Sequence, residues 1–139
     1  MNKCIILTHG DLGAALLKTT GKIIGEHEGI KVISNENTSL KDLIFSLEKA
    51  VEDWEDENIL IMIDFCGGSC WHAAQVVKRN RENVALLSGV NLPILLAYIN
   101  RRESYKLAEL AEYLKESSLK GTSVICGLQP LNHDKENEE

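Results

Sequence analysis

The segment NILIMID, residues 58–64, constrains the fold more than any other part of the chain. Ile59 to Ile63 run without a polar break, so a strand built from them needs cover on both faces. Such strands belong to the interior of a parallel sheet with helices packed on either side. The remaining chain supplies the parts. KCIILT, IKVIS and NVALLSG read as further short strands, and helical spacings separate them. Leu12, Ala15, Leu16 and Ile23 recur at helical intervals after the first strand. Leu40, Leu43, Ile44, Leu47, Val51 and Trp54 form a longer stripe after the second. Ser39 with Asp42 three residues on marks where that helix starts.

WHAAQVVKRN predicts a helix after the third strand, behind the glycine-rich turn CGGSC. VNLPILLAYINRR predicts another, with Pro93 in the first turn where a missing N–H costs nothing. SYKLAELAEYLKES adds an amphipathic helix with Leu107, Leu110, Ala111 and Leu114 on one face, and GTSVICGL reads as a last short strand. The expected class is therefore α/β, a doubly wound and mainly parallel sheet. One domain is expected over residues 1–128, followed by a polar, disordered tail over 129–139.

The charge pattern excludes some partners. Fifteen Lys and Arg stand against twenty-one Asp and Glu, a net charge of −6. Nucleic acids and anionic membranes demand clustered positive charge, so neither is expected as a partner. No apolar run approaches the roughly 20 residues of a bilayer span, so no membrane insertion is expected. A cytoplasmic location follows, with reduced thiols. Cys4 and Cys126 lie in apolar runs and read as small hydrophobes.

Ligands of open α/β sheets bind beyond the carboxyl ends of the strands. His9 ends the first strand, Asp64 the third and Ser88-Gly89 the fourth. A carboxylate that accepts a hydrogen bond from one imidazole nitrogen leaves the other nitrogen's lone pair free for attack. Backbone N–H groups of Gly10, Asp11 and the Gly67-Gly68-Ser69 turn could hold a phosphoryl group on that nitrogen. A structural histidine with a helix-capping aspartate accounts for the same residues, and neither a dinucleotide fingerprint nor a Walker-type phosphate loop occurs. On these residues alone both readings stand.

ILTHGDLGAALLKTTGKIIGE, IDFCGGSCWHAAQVV and LLSGVNLPILLAYI, in that order and spacing, resemble the mannose-family enzyme IIA domains of the bacterial sugar phosphotransferase system. The resemblance extends from Met1 to about Cys126. It implies a phosphocarrier in which His9 takes a phosphoryl group from HPr, on Nε2, and passes it to a IIB domain. Asp64 would pair with the ring, while Gly10, Gly68 and Ser69 would face the phosphoryl group. It also implies a homodimer in which the C-terminal strand, GTSVIC, is antiparallel and exchanged between subunits. No metal or organic cofactor is implied. A regulatory module that keeps the same histidine has the same pattern.

The family usually reads Gly-Gly-Ser-Pro-x-Asn, whereas here Gly67-Gly68-Ser69 is followed by Cys70, Trp71 and His72. Cys66 also stands where bulkier residues are common. Cys66, Cys70, His72 and His9 therefore form a second candidate set, soft ligands for Zn²⁺ or a thiol redox pair. Of the other ionisable or aromatic residues, His27 and His133 read as solvated, Trp54 as core, Trp71 as core or docking surface, and Arg101-Arg102 as a solvated helix end.

Overall fold

The computed structural model describes residues 1–128; the expected tail over 129–139, with His133, lies outside them. Four parallel strands, β1 (Lys3–Thr8), β2 (Ile30–Ser34), β3 (Ile59–Ile63) and β4 (Val84–Ser88), lie in the order β2-β1-β3-β4. Five helices connect and follow them: α1 (Leu12–Ile24), α2 (Leu40–Glu52), α3 (Gly68–Lys78), α4 (Leu92–Arg101) and α5 (Leu107–Lys120). The NILIMID run forms β3, an inner strand with all five residues buried.

Alternation along the inner strands divides the core in two. Ile5, Leu7, Ile59, Ile61 and Ile63 face one way, toward Leu43, Leu47 and Val51 of α2 and Ala73, Ala74 and Val77 of α3. Cys4, Ile6, Leu60 and Met62 face the other, toward α4 and α5 through Ile94, Leu95, Tyr98, Leu110 and Leu114. The Ser39 hydroxyl accepts the Asp42 N–H at 3.1 Å, as the start signal of α2 predicts. Asn91 caps α4 in the same way, its Oδ1 accepting the Ile94 N–H at 2.9 Å.

Two expectations change. The buried residues of α1 are Gly13 and Thr20, whereas Leu12 and Ile23 are exposed. The helix packs so close to the sheet that a Cβ at position 13 would lie 3.1 Å from Ile6 Cγ2 and Thr8 Oγ1 and 3.2 Å from Val32 Cγ1. Thr20 can face inward because its hydroxyl donates to the Leu16 carbonyl at 2.8 Å, which removes the cost of burying it. Leu16 and Leu17 pack half-buried against the core, and close approach at Gly13, with the buried Thr20, sets the rest of the inner face.

The second change concerns GTSVICGL. Residues 122–128 pair with no strand among the described residues, and their apolar side chains stand in solvent: Val124 at 84%, Ile125 at 80% and Leu128 fully exposed. The edge of β4 that faces away from β3 likewise carries no strand within the described chain.

The chain runs from β1 outward to β2, then crosses back over β1 to β3. Neighbouring strands β1 and β3 thus lead off in opposite directions, and a crevice opens between their carboxyl ends.

Candidate functional site

Three residues occupy that crevice by one rule: each is the first beyond a strand. His9 follows β1, Asn35 follows β2 and Asp64 follows β3. The register places Thr8 opposite Ser34 and Leu7 opposite Ile63, so all three project from one edge.

Asp64 is the centre of the arrangement. Its Oδ2 accepts the His9 backbone N–H at 2.8 Å and lies 2.8 Å from the ring Nδ1, while Oδ1 accepts the Phe65 N–H at 3.0 Å. Burial alone would raise the carboxyl pKa. The His9 and Phe65 contacts outweigh it and hold the group below the ordinary carboxylate range. Asp64 is therefore ionised at neutral pH and can only accept hydrogen bonds. In the neutral form of the ring this places the proton on Nδ1 and leaves the lone pair on Nε2.

Exposure agrees with this division of roles. The His9 side chain is 38% exposed and that of Asp64 only 9%. The carboxylate is covered while the ring opens to solvent. Phe65, absent from the sequence-derived set, stacks on the imidazole with ring centroids 5.1 Å apart at 28°.

On the Nε2 side lies the start of α3. A Cβ at Gly68 would sit 3.4 Å from His9 Nε2 and 3.2 Å from Phe65 Cζ, and the residue has φ +78°. Both the backbone conformation and the close approach call for glycine here. The helix has no side-chain cap among the described residues, and its first N–H groups lie beside the ring. Such an end favours an anion.

Gly10 differs from expectation. Its N–H donates to Asn35 Oδ1 at 3.1 Å, and its carbonyl accepts the Ser34 hydroxyl at 2.6 Å. Asn35 Nδ2 in turn donates to Ser69 Oγ at 3.3 Å. Asn35 was missing from the sequence-derived set. Its place directly after a strand, shared with His9 and Asp64, was the available signal.

The soft-ligand set does not assemble. Cys66 and His72 are exposed, whereas Cys70 is fully buried within α3. The group of possible metal ligands among the described residues is His9, Asp64 and Cys70, whose donor atoms lie within 4.8 Å of one another. Two of these atoms are already hydrogen-bonded together. Burial, then the Asp64 charge, pushes the Cys70 thiol up to about 11, so it is protonated at neutral pH and a poor ligand. His27 is exposed, while Trp54 and Trp71 pack half-buried against the α2–α3 side of the core.

The family described as PTS system fructose IIA component, EIIA-man, matches residues 3–115. The chain belongs to the EIIA-man family. EIIA proteins are phosphotransferase components of the sugar phosphotransferase system, and this chain is one of them. It is 32% identical over 120 residues to the fructose-specific EIIA component of Bacillus subtilis, covering 85% of this chain and 82% of that one. To the mannose-specific EIIAB component of Escherichia coli it is 29% identical over 102 residues, which cover 71% of this chain and 31% of the longer protein. Among solved structures, an EIIA phosphotransferase component from Streptococcus agalactiae superposes with a TM-score of 0.83 at 25% identity, covering 89% of this chain and 97% of that one. No helix of this EIIA chain, among the described residues, is long and apolar enough to cross a membrane.

Proposed function

We propose that the chain is a cytoplasmic phosphocarrier that takes a phosphoryl group from phospho-HPr on His9 Nε2 and hands it to a IIB domain for sugar uptake. The observation that carries this reading is the free Nε2. Asp64 Oδ2 holds Nδ1 at 2.8 Å, and the opposite nitrogen faces the uncapped start of α3.

In the transfer, the Nε2 lone pair forms the bond to phosphorus as the bond to the donor breaks, and that bond's electron pair leaves with the donor. The ring gains positive charge, which the Asp64 carboxylate stabilises. The backbone and hydroxyl donors of Gly68 and Ser69 meet the phosphoryl oxygens. Gly10 joins them only when its N–H leaves Asn35. Transfer to IIB runs the same step in reverse. Positioning and electrostatics are sufficient for this chemistry, so no metal or organic cofactor is needed.

The Escherichia coli relative, whose printed name joins an A and a B component, supports a IIB acceptor. The half-exposed ring supports a protein donor, since a partner's histidine can reach it directly. We also propose a homodimer in which GTSVIC, residues 121–126, forms an antiparallel strand on β4 of the partner subunit. The outer edge of β4, which pairs with no strand among the described residues, and the exposed Val124 and Ile125 support it. Sedimentation over a range of concentrations tests the dimer, and a monomer at every concentration would refute it.

The phosphocarrier reading is tested by intact mass at neutral pH after incubation with phosphoenolpyruvate, enzyme I and HPr. One acid-labile phosphate is expected on the wild type and none on His9→Ala. No added mass on either, with HPr phosphorylated, would refute it.

A further inference from the structure

We propose that Asn35 is a positioning residue that turns the Ser69 hydroxyl into a hydrogen-bond donor for the group carried on His9. This rests on the phosphocarrier reading and deepens it. The argument begins with the polarity of the amide. Gly10 N–H can only donate, so the Asn35 atom 3.1 Å from it is the carbonyl oxygen. The NH₂ end therefore points at Ser69 Oγ, 3.3 Å away, and Ser69 receives that bond as an acceptor. A hydroxyl has one proton to give. With a lone pair occupied by Asn35, that proton is directed elsewhere.

Cys70 is the neighbour that could take it, but a thiol sulfur is a weak acceptor and does not hold it firmly. A phosphoryl oxygen on Nε2 is a far stronger acceptor and draws the proton. Asn35 is itself fixed from both sides. Its backbone N–H donates to the Thr8 carbonyl at 3.1 Å, directly before His9, and Ser34 holds the Gly10 carbonyl. One side chain from the β2 end thus links the loop after β1 to the start of α3. The spacing between the nucleophilic ring and the Ser69 donor is set by a residue that touches neither phosphorus nor its ligands.

Asn35→Asp is the informative change because it keeps the shape and reverses the polarity. A carboxylate accepts from both Gly10 and Ser69, takes the Ser69 proton away, and adds negative charge near an incoming anion. Asn35→Ala merely removes the constraint.

The experiment measures the rate of phosphate uptake from phospho-HPr for wild type, Asn35→Ala, Ser69→Ala, the double variant and Asn35→Asp, with a melting curve for each. Asn35→Ala and Ser69→Ala should each slow uptake about tenfold, the effect of losing one oriented hydrogen bond. The double variant should be no slower than either alone, because the two act as a unit. Asn35→Asp should be slower than Asn35→Ala while melting like the wild type.

Multiplying effects in the double variant, or Asn35→Asp as fast as wild type, would overturn the role of Asn35 and leave the phosphocarrier reading intact. A wild type that takes up no phosphate from phospho-HPr would overturn both. Should Asn35→Ala fold poorly, the comparison of Asn35→Asp with Ser69→Ala decides alone, since a mere loss of contact predicts equal rates.

Discussion

At the amino end of the sheet, Asn2, Tyr98 and Arg102 are buried and their side chains bond to backbone carbonyls. Tyr98 O–H donates to the Asn2 carbonyl at 2.6 Å, Asn2 Nδ2 donates to the carbonyls of Arg102 and Tyr105, and Arg102 Nη1 donates to the Glu28 carbonyl at 2.6 Å. At the carboxyl end the side-chain hydrogen bonds fall into two pairs, His9 with Asp64 and Asn35 with Ser69, and they leave groups free. Nε2 keeps its lone pair, and the first turn of α3 keeps its N–H groups. Three polar side chains serve one end and four the other. Where buried side chains are bonded to backbone carbonyls, the network stabilises the fold; a lone pair left open beside backbone donors is what the proposed transfer requires. Burial of a charged residue alone does not mark function, and Arg102 at 8% exposure is the counterexample within this molecule.

Substitutions at the two ends should therefore separate transfer from stability. The largest effect is expected for Asp64→Asn. An amide in place of the carboxylate no longer fixes the ring tautomer or supports its charge, so phosphate uptake should fall on the order of 10³-fold. The melting temperature should move little. Wild-type uptake rates would show that Asp64 does not orient the ring. Gly68→Ala comes next: its Cβ would press on Nε2 and Phe65 from a strained backbone. Uptake should drop on the order of 10²-fold, measured beside a melting curve to separate misplacement from unfolding.

The amino end should respond in the opposite sense. Arg102→Ala leaves the Glu28 carbonyl without its donor and should cost about 1–3 kcal/mol of stability in urea unfolding, with uptake rates unchanged. Tyr98→Phe, which removes only a hydroxyl, should cost about 1 kcal/mol. A loss of transfer in either variant, with the fold intact, would break the contrast.

The smallest effect is that of acid. Asp64 has its folded pKa below the unfolded value, so its stabilising contribution is complete above the ordinary carboxylate pKa of about 3.9 and is lost as pH falls through the folded value. Wild type should therefore lose stability more steeply than Asp64→Asn on acidification below that point. Parallel acid-unfolding curves would contradict the ionised pair.

The inner strands and the His9–Asp64 pair were legible because they obey one-dimensional rules. An unbroken apolar run marks a strand buried on two faces, and an ionisable residue directly after it marks the ligand edge. The inner face of α1 was only partly legible, through Leu16. Its contacts depend on a missing Cβ at Gly13 and on a hydroxyl at Thr20 that bonds back to its own helix, and neither adds to an apolar stripe. Arg102 reads as a solvated helix end because nothing local reveals that Glu28, 74 positions earlier, offers a carbonyl to it. Asn35 escaped for a similar reason, since its partners are Gly10 in the loop after β1 and Ser69 in the first turn of α3. Residues 122–128 carry the composition of a strand, but a strand also needs an edge to pair with, and composition does not say whose edge that is.

The most direct test is the state of the His9 ring nitrogens, read by nitrogen-15 NMR of histidine-labelled protein at neutral pH before and after phosphorylation by HPr. Before transfer, Nδ1 should carry the proton and Nε2 should show the shift of a bare nitrogen; afterwards Nε2 alone should bear phosphorus. A resting ring protonated on Nε2, or a phosphoryl group on Nδ1, would contradict the assignment of Asp64 as the group that frees Nε2 for attack.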